Sequence, residues 1–279
     1  MNYRHDFHAG NFADVFKHIF LTRILLHLAL KAAAFRYIET HAGCGLYDLS
    51  GPEAEKTAEW RGGVGRLAGA QLPLDAQRLI QPYLDIIAPL LREDKPSYPG
   101  SPAIAKALLR AEDKMQLCEL HPEAFVRLKA NLGRDARIKL MPIDGYTGLK
   151  AFIPPIERRG LVLIDPPFED ANEFERLADA MAAAWRKWAT GVYMLWYPVK
   201  DRAKAAAMAQ ALARREGRLL RIEFQIDAVW PQGALTRSGL IILNPPFSLE
   251  AEARLILPCL SHCLGDGQPD HLIEWLAGP

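Results

Sequence analysis

Asp165-Pro166-Pro167-Phe168 closes the apolar run 160–164 and gathers groups that share one chemistry. An ionised carboxylate only accepts hydrogen bonds. Two successive prolines remove two N–H donors and stiffen the backbone, which leaves carbonyl oxygens to point outward. Paired acceptors of this kind suit the two hydrogens of an exocyclic amine, and an adjacent aromatic ring can stack on the heterocycle that bears it. The tetrapeptide therefore predicts a catalytic Asp165 and Pro166, with Phe168 as the stacking ring. A proline-rich turn that does no more than end a strand is the competing reading.

Further positions complete a candidate site. In Glu39-Thr40-His41-Ala42-Gly43-Cys44-Gly45 the glycines let the backbone approach a ligand at a strand–helix junction. Two glycines fall short of the three in a dinucleotide fingerprint, so a tight structural turn explains them equally well. Glu119 stands near the end of the run 115–120. In an open α/β fold a carboxylate at the end of the second strand binds ribose hydroxyls, commonly about 20 residues after the glycine turn. Here the separation from Gly45 is 74 residues, and an insertion must account for the excess. Asp144-Gly145 ends the next run, where it can reach a cofactor base or form an ordinary Asp-Gly turn. Five of the eight histidines (His5, His8, His18, His27 and His41) fall in the first 41 residues. No HExxH spacing occurs and no cysteine lies near His5 and His8, so no metal site is expected. Cys259, His262 and Cys263 read as a buried helix end.

Such residues need a frame, and the apolar runs supply it. Seven occur, at 35–40, 115–120, 138–142, 161–164, 192–197, 219–226 and 240–243. Stretches with helical spacing, such as 122–132, 172–188 and 200–215, separate most of them. The alternation predicts an α/β fold: a doubly wound, seven-stranded, parallel sheet with helices on both faces. Residues 50–98 hold helical pieces at 52–60 and 75–91 but no convincing strand. They predict a helical insertion sub-domain after the first strand, in a main domain of residues 1–49 and 99–279. A helical period also covers 10–33, where Arg23, His27 and Lys31 share one face and Leu21, Leu25 and Leu28 are left for burial. Those basic interruptions exclude a membrane span.

The chain has 279 residues, 50% hydrophobic and 24% charged, which excludes collagen, long disorder and mini-protein scaffolds. Its net charge of +1 argues against a purely electrostatic nucleic-acid coat. A local basic face remains open. Residues 198–237 hold eight Lys/Arg (Lys200, Arg202, Lys204, Arg214, Arg215, Arg218, Arg221 and Arg237) against four acids. That stretch reads either as a phosphate-binding face or as a solvated helix surface. Four cysteines without a CxxC pair, and the lack of a signal-peptide pattern, predict a cytoplasmic protein with reduced thiols.

In this order the segments YRHDFHAGNFADVFKH, ETHAGCGLYDL, YPGSP, the strand ending in Glu119 and DPPFE resemble the class I S-adenosylmethionine-dependent adenine-N6 methyltransferases. The match is closest to the bacterial 23S ribosomal RNA adenine-N6-methyltransferases of the RlmJ type, and it spans nearly the whole chain. The resemblance implies a Rossmann-like methyltransferase sheet with an N-terminal helical extension and S-adenosyl-L-methionine as cofactor. It implies cofactor contacts from His18, His41, Gly43 and Ser101, the ribose on Glu119, and the adenine at Asp144 and Gly145. Asp165 would be the catalytic carboxylate, and Tyr3 and Lys17 would meet the substrate RNA by stacking and phosphate contact. Where many adenine methyltransferases carry Tyr, this chain has Phe168, which keeps stacking and loses a hydroxyl. Asn244-Pro245-Pro246-Phe247 fits the same broad pattern, but the seventh strand of that fold runs antiparallel and turns it away from the cofactor edge, so its role is expected to be structural. The partner implied is 23S ribosomal RNA, met by a monomer with no membrane. Two other readings stay open: a DNA adenine-N6 methyltransferase, and a non-enzymatic nucleic-acid-binding module that keeps a cofactor pocket.

Overall fold

The computed structural model describes residues 3–170, 172–214, 217–227 and 235–278. Along the chain run the strands β1 (Arg36–Glu39), β2 (Leu46–Asp48), β3 (Ser97–Pro99), β4 (Lys114–Cys118), β5 (Ile138–Met141), β6 (Gly160–Ile164), β7 (Val192–Pro198), β8 (Leu219–Gln225), β9 (Arg237–Leu243) and β10 (Asp270–Ala277). The helices are α1 (Phe12–Ala29), α2 (Pro52–Thr57), α3 (Arg66–Ala68), α4 (Leu74–Leu91), α5 (Ser101–Leu108), α6 (Pro122–Leu132), α7 (Gly145–Phe152), α8 (Glu173–Lys187), α9 (Arg202–Ala213) and α10 (Leu249–Leu264).

Eight strands form one sheet in the order β10-β8-β9-β7-β6-β1-β4-β5. All seven predicted runs are among them. The eighth, β10, corrects the seven-stranded expectation. It pairs antiparallel with β8 at the sheet edge, and its Asp270, His271 and Glu274 break both an apolar run and a strict alternation, as edge strands commonly do. β1 pairs in parallel with β4 on one side and β6 on the other, while β9 runs antiparallel to both β7 and β8. The strand order therefore reverses at β1 and β6. In open α/β sheets, ligands bind in the crevice beyond the carboxyl ends of the strands at this reversal. His41–Gly45 follows β1 and Asp165 follows β6, so sheet topology alone brings the two predicted motifs together.

Successive side chains sort to opposite faces. Tyr37, Leu161, Leu163 and Met194 join a core with α1, α4, α5 and α10, whereas Ile38, Val162, Ile164 and Tyr193 join another with α8 and α9. α1 starts at Asn11, whose side-chain oxygen accepts hydrogen bonds from Ala13 N and Asp14 N, 3.0 Å each. Leu21, Leu25 and Leu28 are buried as expected, and Arg23 on the basic face pairs with Glu252 of α10 at 2.8 Å. β2 and β3 form an antiparallel clip, so the chain between them leaves and returns at one place. Within that segment α4 buries Ile80, Tyr83 and Ile87 in the same core as α1 and α10. Among the described residues no helix is long and apolar enough to cross a membrane.

Candidate active site

A cavity of about 750 Å³ lies at the carboxyl ends of β1, β4, β6 and β7 and is partly covered by the N-terminal segment. Ligand pockets typically span about 300–1,000 Å³. Ten of the twelve predicted positions line it: Tyr3, Lys17, His18, His41, Gly43, Ser101, Glu119, Asp165, Pro166 and Phe168. Asp144 and Gly145 are outside the lining. Asp144 caps α7 by accepting from Thr147 N at 2.9 Å, and it pairs with Arg176 at 3.2 Å. At Gly145 a Cβ would stand 2.2 Å from the Thr40 carbonyl oxygen, so only glycine lets α7 press this closely on the end of β1.

The glycine turn is held by the acid that follows β4. Gly43 sits at φ +62°, a left-handed conformation that favours glycine, and its N–H donates to Glu119 Oε2 at 2.7 Å. His121 N–H donates to the other carboxylate oxygen, also at 2.7 Å. Glu119 thus joins the end of β4 to the turn after β1, and burial raises its pKa. Ser101 opens α5 and donates through its hydroxyl to Glu39, which also accepts from Tyr37 at 2.8 Å. Burial pushes Glu39 up to about 8, although both hydroxyls favour its ionised form. Burial acts oppositely on His41, pushing it down to about 4 and leaving a neutral ring beside Tyr146.

Around Asp165 the N-terminal block forms a continuous polar chain. Lys17 Nζ donates to Asp165 Oδ2 at 2.6 Å and lies 3.1 Å from Asp14 Oδ1. His5 Nε2 is 2.8 Å from Asp14 Oδ2, and the Tyr3 hydroxyl is 2.8 Å from His5 Nδ1. Burial opposes the charge on Lys17, but Asp165 and Asp14 outweigh it and hold its pKa above the ordinary lysine value. At the cavity wall the Lys17 ammonium is thus held between two carboxylates. Among the described residues no donor is bonded to Asp165 Oδ1. Tyr3 is half-exposed at the cavity mouth, where its ring stacks on His8 and its N–H donates to Glu169 at 2.6 Å. Phe168 has φ +51°, in the left-handed region that non-glycine residues rarely adopt, and its ring packs against Phe174 and Trp196.

The second proline motif behaves as expected. β9 runs antiparallel to β7, so Asn244 follows it at the opposite end of the sheet, with its side-chain amide donating to the Ala189 and Gly191 carbonyls at 2.6 and 2.9 Å. The basic stretch is partly internal. Arg221 and Arg237 both donate to buried Glu223, and Arg202 donates to Gln225 at 2.9 Å. Lys200 lines the cavity, and Arg215 lies outside the described residues. Among the described residues no group of three or more His, Cys, Asp or Glu is placed to hold a metal ion. Sequence reading missed Asp14, Glu39, Tyr98 and Trp196. Asp14 stands inside the N-terminal block and Trp196 is the next-to-last residue of the run 192–197, which are the only local signals either residue gives.

Residues 32–277 match the model of a family described as "Ribosomal RNA large subunit methyltransferase D, RlmJ". Two proteins named "Ribosomal RNA large subunit methyltransferase J" are similar over nearly their whole length. The one from Haemophilus influenzae is 40% identical over 281 residues, and the one from Escherichia coli K12 is 38% identical over 279, each alignment covering 99% of both chains. A crystal structure of a protein from Legionella pneumophila superposes with a TM-score of 0.87 at 34% identity, covering 96% of this chain and 98% of that one. By family model and full-length relatives alike, the chain belongs to the RlmJ family of ribosomal RNA large subunit methyltransferases.

Proposed function

We propose that this protein transfers a methyl group from S-adenosyl-L-methionine to the exocyclic N6 amine of an adenosine in 23S ribosomal RNA, acting as a cytoplasmic monomer. Membership of the family supports ribosomal RNA methylation. The single observation that carries the choice of amine is Asp165 Oδ1, an acceptor at the cavity with no donor bonded to it among the described residues, next to the proline-rich turn. When bound, the cofactor supplies an electrophilic methyl group on a positively charged sulfur. The residues present suit it. His18 offers a buried nitrogen without a partner among the described residues, Ser101 a hydroxyl at a helix start, and Glu119 a carboxylate for ribose hydroxyls. His41 and Gly43 are assigned to the same pocket, with Asp144 and Gly145 at its adenine end.

The amine of adenine is a poor nucleophile because its lone pair is delocalised into the ring. Asp165 Oδ1 accepts one of its hydrogens and the Pro166 carbonyl accepts the other, which localises the pair and aims it. Orientation of this kind can lower a barrier by several kcal/mol, roughly 7–11 in favourable intramolecular cases. Lys17 keeps the carboxylate fixed by holding Oδ2. Phe168 and Tyr3 supply aromatic faces for a base drawn out of the RNA. Asp165→Ala is expected to lower methyl transfer by at least about 10³-fold while cofactor affinity changes less than about threefold. Tritiated methyl incorporation into 23S RNA from a deletion strain, with calorimetric titration of the cofactor, measures both. Transfer at the wild-type rate would remove Asp165 from the mechanism, and transfer to unmethylated DNA in preference to RNA would replace the substrate.

A further inference from the structure

Three buried rings stand in line behind the cavity wall. Tyr83 of α4, Tyr98 of β3 and His18 of α1 are 0%, 0% and 1% exposed. The two tyrosine hydroxyls lie 2.9 Å apart, and that of Tyr98 lies 2.7 Å from His18 Nδ1. His18 and Tyr98 also stack, with ring centroids 5.6 Å apart. His18 lines the cavity and neither tyrosine does; its Nδ1 edge faces the tyrosines and its Nε2 edge lies on the side of Asp14, which also lines the cavity. Nε2 is buried and has no hydrogen-bond partner among the described residues.

Each tautomer leaves one buried hydrogen without an acceptor among the described residues, and where that hydrogen lies distinguishes the two. A hydrogen on Nδ1 would be donated to Tyr98, Tyr98 would donate to Tyr83, and the Tyr83 hydroxyl hydrogen would be left buried with no acceptor bonded to it among the described residues. In the other direction Tyr83 donates to Tyr98 and Tyr98 donates to Nδ1. Both hydroxyl hydrogens are then used, and the one left over is the imidazole's own on Nε2, on the side of Asp14, which lines the cavity. Asp14 Oδ1 stands 4.0 Å from Nε2, beyond hydrogen-bond reach but near enough to favour the N–H on that side. Burial keeps the ring neutral by pushing its pKa down to about 3. Ser101, at the start of α5, lines the same cavity, and the positive end of the helix dipole there favours an anion.

We propose that Tyr83 and Tyr98 are positioning residues, whose hydroxyls fix His18 as the Nε2–H tautomer and present that N–H as a neutral donor to the carboxylate of the cofactor's methionyl group. The ligand in this statement rests on the cofactor reading above; the tautomer does not. A helix of the inserted segment thereby takes part in cofactor binding without touching the cofactor.

Tyr98→Phe and Tyr83→Phe keep both rings and remove one hydroxyl each. Long-range proton–nitrogen spectra of the ligand-free protein, with the His18 signals identified by their loss in His18→Gln, should show hydrogen on Nε2 in the wild type and a shift of population toward Nδ1 in Tyr98→Phe. Calorimetry then compares S-adenosylhomocysteine, which carries the carboxylate, with 5′-methylthioadenosine, which lacks it. Tyr98→Phe should weaken the first about tenfold and Tyr83→Phe about threefold, with the second ligand changed less than about twofold, a result that also certifies the fold. Hydrogen on Nδ1 in the wild type, or equal weakening of both ligands, or none, overturns the proposal. If the wild type binds neither ligand, the cofactor reading falls, the carboxylate role falls with it, and the nitrogen shifts alone decide the relay.

Discussion

Lys17 and Glu39 both lie under the reacting centre, and burial acts on them in opposite senses. Lys17 keeps its charge because Asp165 and Asp14 flank it. Glu39 has only neutral hydroxyls against it, from Ser101 and Tyr37, and its pKa rises from 4.5 to about 8. Below the lower value the group is protonated in folded and unfolded chains alike and contributes no pH dependence. Between the two values the unfolded chain releases the proton and the folded chain retains it, so stability falls as pH rises, by up to about 1.4 kcal/mol per pH unit for one proton. Above the higher value the loss is complete and levels off. Glu39→Gln imitates the protonated acid and should remove that slope: in urea titrations at several pH values its advantage over wild type grows from acid toward about pH 8, and a constant difference would refute the assignment. At this scale the sequence displayed the reactive types well and their partners poorly. Asp165 and Glu119 are legible because each stands at or near the end of an apolar run. The pairing of Lys17 with Asp165 spans 148 positions, and that of His18 with Tyr98 spans 80, distances at which no local pattern links two residues.

Two copies of one tetrapeptide pattern end in different roles because the strands before them point in different directions. β6 delivers Asp165 to the crevice, whereas antiparallel β9 delivers Asn244 to the far end of the sheet, where its amide ties two carbonyls of the α8–β7 connection. Asn244→Ala is therefore expected to cost about 0.5–1.5 kcal/mol of stability, the net worth of hydrogen bonds at a partly exposed site, while cofactor affinity and turnover per folded molecule stay unchanged. Chemical denaturation alongside calorimetry would show it, and a selective loss of cofactor binding would contradict the structural role. Element types were readable wherever period and length agreed, as for α1 and the seven predicted runs. β10 escaped because an edge strand with one wetted face needs neither a run nor an alternation.

Over the whole molecule, charge is balanced more locally than the composition suggests. The net charge is +1, and Arg202, Arg221 and Arg237 in the most basic stretch are engaged within the protein. RNA recognition should then lean on stacking and base fit more than on phosphates. For a single-stranded 23S fragment the slope of log K against log salt is expected to be no steeper than about −3, corresponding to roughly four phosphates at −0.7 each. Fluorescence anisotropy between low and moderate salt gives the slope, and a value near −6 would mean that phosphate contacts dominate. The burial of α1 has another consequence, during biosynthesis. Its faces are covered from nearly every side, and the Glu252 that pairs with Arg23 is encoded 229 residues later. At translation rates of about 5–20 residues per second, the helix emerges on the order of 10–45 seconds before that covering exists. Until then Phe16, Phe20 and Ile24 are a sticky stretch on a growing polypeptide, which makes the newborn chain a client for holding chaperones well before it can bind any RNA.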